Sequence, residues 1–314
     1  VSAARLSRRA RVGAYVALTK PRIIELLLVT TVPTMIVAER GLPSLWLIAA
    51  TVWGGTMAAG GANAINMYVD RDIDRVMERT KGRPLVTGAM TPRAALTFAI
   101  ALEVVAFLFL WATVNLLSAV LAVAACLFYV FVYTLWLKRT SSRNIVIGGA
   151  AGAVPTLIGW SAVTGTLDWA PVILFAIIFY WTPPHFWALA IRYRDDYASV
   201  DVPMLPVVES LRNTSVRILG YTLLLWALTV LFSPVAGMGH VYLGSAIVLG
   251  AVFTWYAVRL LRMQDPHIGV SGGGAATAEV EVRATAMRLF TWSITYITLL
   301  FGAMALDQLL RSGW

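Results

Sequence analysis

The sequence predicts an all-α polytopic membrane protein, and three observations carry that class. With 59% hydrophobic residues, 13% charged residues and a mean hydropathy of +0.75, the 314-residue chain has more apolar surface than one soluble core can hide. The apolar residues come in about nine runs, each near the roughly 20 residues that cross a hydrocarbon core. All Lys and Arg except Arg40 and Arg311 fall on alternate connectors between those runs, the asymmetry that sets membrane orientation. The net charge of +9 is therefore a topology signal. It forms no basic face interleaved with aromatics of the kind that tracks a nucleic-acid backbone.

Taken in order, residues 1–21 read as a basic cytoplasmic tail, with Arg5, Arg8, Arg9, Arg11 and Lys20 and no acid. A mitochondrial presequence has similar composition, but this segment runs straight into the first span, and no cleavable secretory signal stands out. The spans are expected near 22–40, 45–69, 93–113, 116–137, 145–164, 169–191, 216–237, 241–262 and 287–308, so that 22–310 forms a single transmembrane domain. Gly41-Leu42-Pro43, Asn115, Thr164-Gly165 and the stretch Pro234 to Gly239 supply the short turns on one side. The basic connectors put the N-terminus in the cytoplasm and, with an odd number of spans, the C-terminus outside. The expected address is the bacterial cytoplasmic membrane rather than the mitochondrial inner membrane. Val270-Ser271-Gly272-Gly273-Gly274-Ala275-Ala276 lacks any phosphate-cradling pattern and reads as a linker. Cys126, the single cysteine, lies within a span, which excludes a disulfide framework or a thiolate metal cluster.

The polar residues that break the apolar pattern carry the chemistry. Asn66, Asp70 and Asp74 stand four apart, which on a helix places them along one slowly drifting stripe with Asp72 opposite. Carboxylates at a helix C-terminus oppose the macrodipole and repel one another, so something positive should offset them. A divalent cation held by hard oxygen ligands, Mg2+ carrying a phosphorylated substrate, is one reading. A solvated helix end whose acids pair with Arg71, Arg75 and Arg79 is the other. A second cluster, Arg192-Tyr193-Arg194-Asp195-Asp196-Tyr197 with Asp201 beyond it, also begins where an apolar run meets the cytoplasm. Two acidic helix ends on one membrane face can share a metal. Lys81, Arg83, Lys138 and Arg139 are then candidates to neutralise a diphosphate, or else simply mark topology and lipid headgroups. His185 follows Trp181-Thr182-Pro183-Pro184, where paired prolines free backbone carbonyls and kink a helix. Its imidazole suits a haem ligand, a proton donor or a satisfied core residue. Glu25 and Glu103 are further acids at or within spans, and His240 and His267 fall in loops.

These residues resemble a known family. Asn66-x-x-x-Asp70-x-x-x-Asp74 followed by Arg79-Thr80-Lys81-Gly82-Arg83-Pro84-Leu85 is similar to the first signature of the UbiA-type intramembrane prenyltransferases. The runs from Leu137 to Gly149, Trp181-Thr182-Pro183-Pro184-His185-Phe186-Trp187-Ala188-Leu189 and Pro203-Met204-Leu205-Pro206 resemble the protohaem IX farnesyltransferase (haem O synthase) branch. Phe290 to Phe301 is similar to that branch's last span, so the resemblance runs from Lys20-Pro21-Arg22 nearly to the C-terminus. It implies a helical bundle around a central cavity with cytoplasmic capping loops, which transfers farnesyl from farnesyl diphosphate to a vinyl group of haem B. It further implies Mg2+ as cofactor, haem B as substrate and not prosthetic group, and haem A synthase or oxidase assembly factors as partners. Carried over residue by residue, Asn66, Asp70 and Asp74 are first-site metal and diphosphate ligands, and Asp195 and Asp196 match the second site. Lys138 and Arg139 match the basic pair that holds the diphosphate. Beyond the residues the resemblance matches, we expect Lys81, Arg83, Arg143, Asn144, Arg192 and Arg194 to complete the substrate-binding set and His185 to contact or orient the porphyrin. The chain departs from the branch at Val200-Asp201, where Ala-Gly is usual, and at Tyr197, where other members often carry a third acid.

Two rivals stay open at this level. The same fold can act on another acceptor, such as a quinone precursor, and only the Trp-Thr-Pro-Pro-His-Phe-Trp run argues against it. A transporter also uses proline-broken spans and intramembrane charge. Here, however, no internal repeat is visible and the polar groups gather at one face.

Overall fold

Most spans start at a residue whose side chain caps the first turn. Ser44, Thr91, Asn115, Asp168 and Ser210 accept from the backbone N–H of Leu47, Ala94, Ser118, Ala170 and Asn213, satisfying donors that a helix start leaves orphaned. The computed structural model describes residues 7–264 and 275–313, without the side chains of 22–28 and 275–278. The Glu25 side chain, His267 and the glycine-rich insert up to Gly274 lie outside what is described. The helices are α1 (Arg8–Thr19), α2 (Pro21–Glu39), α3 (Leu45–Val69), α4 (Pro92–Thr113), α5 (Leu116–Leu127), α6 (Lys138–Thr140), α7 (Asn144–Thr164), α8 (Trp169–Arg192), α9 (Arg194–Ala198), α10 (Leu205–Val208), α11 (Leu211–Ala236), α12 (His240–Arg262) and α13 (Ala275–Arg311). A π-helical stretch, Phe128–Leu137, joins α5 to α6, so that one rod spans Leu116–Thr140.

Eight helices among the described residues are long and apolar enough to cross a membrane. The first expected span corresponds to α2, of which the described apolar part is the shorter Val29–Glu39. The long helices close a ring in the order α2, α3, α4, α5, α7, α8, α11, α12, α13, with α13 returning to α2. Contacts of α2 with α7 and of α8 with α13 cross inside it. The largest apolar core lies among α8, α11, α12 and α13.

Two details differ from the sequence reading, and the prolines of α8 add a third observation. Residues 8–19, expected as part of a tail, form α1, which packs on α3 with Leu18 wholly buried and Tyr15 edge-on to Phe98 of α4. The last helix starts well before residue 287, because the polar segment holding Glu279, Glu281 and Arg283 continues the helix past the apolar run. The paired prolines do not interrupt α8, and the Thr182 hydroxyl donates to the Ile178 carbonyl at 2.9 Å beside them.

Candidate active site

The Asn66–Asp70–Asp74 stripe is continuous in the backbone as well as in the sequence. Asp70 caps α3, with its N–H donating to the Asn66 carbonyl, and the Asp74 N–H donates in turn to the Asp70 carbonyl, both at 2.9 Å. The chain therefore keeps its i, i+4 pairing past the last residue of α3 into a 3-10 turn at Ile73–Arg75. The three side chains are 3%, 0% and 2% exposed. Buried carboxylates require partners, and cations supply them. Lys138 pairs with Asp70 Oδ2, Arg83 with Asp74 Oδ2, and Lys20 Nζ donates to Asn66 Oδ1 at 2.8 Å. The Asn66 amide nitrogen donates to Asp70 Oδ2 at 2.9 Å and to the Thr134 hydroxyl at 3.1 Å. Thr134 sits in the π-helical stretch, which brings it and Lys138 against the end of α3.

Asp72 points elsewhere, as its position on the helix requires. Arg139 grips it through two nitrogens, each at 2.7 Å, and holds its carboxyl at about 2. Arg139 also stands 3.7 Å from Asp70 Oδ1. A cleft of about 480 Å3 opens beside this pair, with Arg71 and Arg75 on its wall. Burial, and then repulsion by Arg83 and Lys138, lowers the Lys20 ammonium to about 7. Arg71, Arg75 and Arg79 are not the partners of the stripe: Arg71 donates to the Tyr68 carbonyl, and Arg79 lies over the rings of Tyr193 and Tyr197.

The second acidic cluster reaches the first loop by a different route. Asp196 accepts from the backbone N–H groups of Glu78 and Arg79 at 3.2 and 3.3 Å, tying α9 to the segment after Asp74. Asp195 is exposed and pairs with Arg283 of α13 at 2.9 Å. Among the described residues, no three of His, Cys, Asp and Glu gather as a ready metal-holding group. Asp201 is exposed and carries a φ of 53°. Of the remaining candidates, Lys81 pairs with Glu78, Arg143 and Arg192 are exposed, and Arg194 is half-buried. Asn144 is fully buried and donates to the Lys138 carbonyl at 3.3 Å, bracing the turn that presents Lys138.

The donor set suits a small hard dication. Asp70 Oδ1 is buried with no hydrogen-bond partner, and it lies on the same stripe as Asn66 Oδ1 and the Asp74 carboxylate. Oxygen donors of this kind fit Mg2+. The sequence reading did not single out Lys20 or Thr134. Lys20 had a signal, a cation next to the Pro21 that opens a span. Thr134 had none, because nothing in the residue pattern announces a π-helix.

His185 is 8% exposed, and its ring lies between those of Trp181 and Phe290, at centroid distances of 4.2 and 4.5 Å. It stands about two turns before Arg192, the last residue of α8, or about 10 Å along the axis at the usual rise. Trp187 is buried against Tyr221, Tyr180 also faces Tyr221, and Phe186 is partly exposed. Glu103 sits where α4 meets Gly61 of α3, close enough that a Cβ on Gly61 would lie 2.6 Å from its Oε1.

The model of the UbiA prenyltransferase family matches residues 27–271. A protohaem IX farnesyltransferase of Parafrankia sp. (strain EAN1pec) is 55% identical over 307 residues, covering 98% of this chain and 93% of its own. That of Streptomyces avermitilis is 52% identical over 302 residues, covering 96% and 95%. Among solved structures, a digeranylgeranylglyceryl phosphate synthase superposes with a TM-score of 0.75 at 16% identity, over 96% of this chain and 99% of the other. A UbiA homolog from Archaeoglobus fulgidus bound to DMAPP and Mg2+ does so with a TM-score of 0.60 at 15% identity, over 91% and 99%. At such identities the structures speak for the fold, and the sequence relatives speak for the lineage. The chain belongs to the UbiA prenyltransferase family and is an intramembrane prenyltransferase.

Proposed function

We propose that this chain transfers the farnesyl group of farnesyl diphosphate to a vinyl group of haem B, giving haem O, at the cytoplasmic end of a bundle in the bacterial cell membrane. The observation that carries the chemistry is the buried Asp70, whose Oδ1 accepts no hydrogen bond and has Arg139 at 3.7 Å, with Lys138 on its Oδ2, Lys20 on Asn66 and Arg83 on Asp74. The acceptor and donor rest on the protohaem IX farnesyltransferases that are more than 50% identical to it. The orientation rests on the placement of Lys and Arg.

In this reading, Asn66, Asp70 and Asp74 hold Mg2+, which when bound supplies a Lewis acid to the diphosphate. Asp195 and Asp196 serve as the second site in this reading, which requires Asp195 to leave Arg283 and Asp196 to leave the N–H groups of Glu78 and Arg79. Lys138, Arg139, Arg83 and Lys20 take up the negative charge that grows on the diphosphate as the allylic C–O bond breaks and its electron pair leaves with oxygen. Lys81, Arg143, Arg192 and Arg194 form the outer basic rim, and Asn144 holds the Lys138 turn in place. The vinyl π electrons form the new carbon–carbon bond to the farnesyl carbon. The carbon left cationic beside the porphyrin then takes hydroxide from water and releases a proton, giving the hydroxyethylfarnesyl group. Until that point water must be excluded, and Trp160, Trp181 and Trp187 are buried aromatics suited to that task.

The test is product formation. Membranes containing the protein, given farnesyl diphosphate and haem B, should form haem O by mass only when Mg2+ is present, and Asp70→Ala should lower the rate at least about 100-fold, as loss of a principal charge-stabilising group does. An unchanged rate in Asp70→Ala would remove Asp70 from the metal site. A prenylated hydroxybenzoate or naphthoate, with none on haem, would reassign the acceptor. Metal-independent flux of substrate across sealed vesicles would point to the transporter.

A further inference from the structure

His185 is held in a way that sets which of its two nitrogens carries the proton. Its Nδ1 lies 2.7 Å from the hydroxyl oxygen of Ser293, on α13. That hydroxyl has one proton, and its oxygen is also 2.6 Å from the Phe290 carbonyl, an atom that can only accept. The serine proton therefore goes to the carbonyl, and the serine oxygen accepts from Nδ1–H. In a neutral imidazole the other nitrogen, Nε2, then bears the lone pair. No residue among those described donates to it. The ring faces are closed by Trp181 and Phe290, with Phe186 edge-on at 5.3 Å. Ser293 is itself fixed, because Trp181 Nε1 donates to its backbone carbonyl at 2.8 Å. Both the ring plane and the tautomer of this buried histidine are thus determined by one serine on the opposite helix.

A buried imidazole with clamped faces, one hydrogen-bonded nitrogen and one bare lone pair is arranged as a ligand to a Lewis acid. Metal-bound histidines are characteristically oriented by such a bond at the second nitrogen. Building on the haem acceptor argued above, we propose that Ser293 is a positioning residue that fixes His185 as the Nδ1–H tautomer and presents Nε2 as an axial ligand to the iron of the substrate haem. The porphyrin is then held by its iron, with its vinyl edge free to meet the farnesyl carbon.

The experiment uses the full-length protein in detergent, titrated with haem B, with the ferrous nitrosyl complex read by electron paramagnetic resonance. Wild type should bind haem saturably and show superhyperfine splitting from a trans imidazole nitrogen. His185→Ala should lose that splitting, and His185→Gly should regain it with added imidazole. Ser293→Ala should keep the splitting but bind haem about 10- to 100-fold more weakly, the usual loss when a histidine's orienting partner is removed. Ser293→Thr, which restores a hydroxyl, should recover most of it. If His185→Ala retains the splitting, another group ligates the iron. Haem affinity in Ser293→Ala equal to wild type would overturn the positioning role. A wild type that binds no haem saturably would instead overturn the acceptor reading on which this inference stands.

Discussion

Asn66 acts through the direction its amide faces. Its nitrogen is committed to Asp70 and Thr134, which turns its Oδ1 toward Lys20. Thr134 spends its own proton on the Tyr129 carbonyl at 2.8 Å and is therefore free only to accept. The position of Asn66 in the stripe was legible from the four-residue spacing. The orientation of its oxygen was not, since it depends on a threonine 68 residues away. Asp201 illustrates the same gap. The departure from the usual glycine was visible in the sequence, but its meaning lies in the backbone: φ is 53°, a region where a side chain costs energy and glycine does not. The carboxylate of Asp201 is exposed, with no hydrogen bond or ion pair to any described residue. Asp201→Gly should therefore raise stability by about 0.5–1 kcal/mol, after allowing for the extra chain entropy of glycine in the unfolded state. Thermal unfolding in detergent measures this. A large loss of Mg2+-dependent activity in the same variant would instead give Asp201 a place at the second site.

Among elements, the spans were legible because hydropathy and length suffice to define them, whereas α1 and the π-helical stretch were not. The exposed arginines of α1 mask its short buried side, Ala14 and Leu18. The π-helical stretch looks like any apolar run, yet it is where Tyr133 meets α7 so closely that a Cβ on Gly148 would stand 2.3 Å from the ring. At the opposite end of the bundle, α12 begins at Gly239, which has no capping side chain of its own. Asp307 of α13 supplies the cap. It is 2% exposed and accepts from the N–H groups of Gly239, Val241 and Tyr242 at 2.6, 3.0 and 3.1 Å. A carboxylate there also meets the positive end of the α12 dipole. Asp307→Ala leaves these donors unpaired and should cost about 3 kcal/mol, at the upper end for a charged hydrogen-bonded group. The midpoint of thermal or denaturant unfolding should fall accordingly. The Mg2+ dependence of turnover should stay as in wild type, since this cap lies at the far end from Asp70. A wild-type midpoint would mean that the α11–α12 turn is held by other contacts, such as Arg311 on the Gly237 carbonyl.

On the scale of the whole molecule, the arrangement of charge constrains how ligands enter. Placement of Lys and Arg already located one polar face, and the structure adds that protein cations occupy the stripe oxygens proposed to hold the metal: Lys20 on Asn66, Lys138 on Asp70 and Arg83 on Asp74. Mg2+ arriving alone must displace these groups and leave them desolvated without partners, which is costly for buried charge. A diphosphate arriving alone meets cations already spent on carboxylates. Arriving together, the metal takes the carboxylates and the diphosphate takes the freed cations, so each ligand removes the penalty of the other. Mg2+ and a prenyl diphosphate should therefore bind cooperatively, with a coupling of about 1–3 kcal/mol, or roughly 5- to 150-fold in affinity. Titration calorimetry of Mg2+ with and without a non-reactive thio analogue of farnesyl diphosphate measures it. Lys138→Met gives the sharper test because its two effects have opposite signs. Freed of its partner, Asp70 should bind Mg2+ more tightly in the absence of analogue, while affinity for the analogue falls. If Lys138→Met weakens both ligands alike, Lys138 holds the site together rather than standing in for the metal, and the cooperativity needs another source.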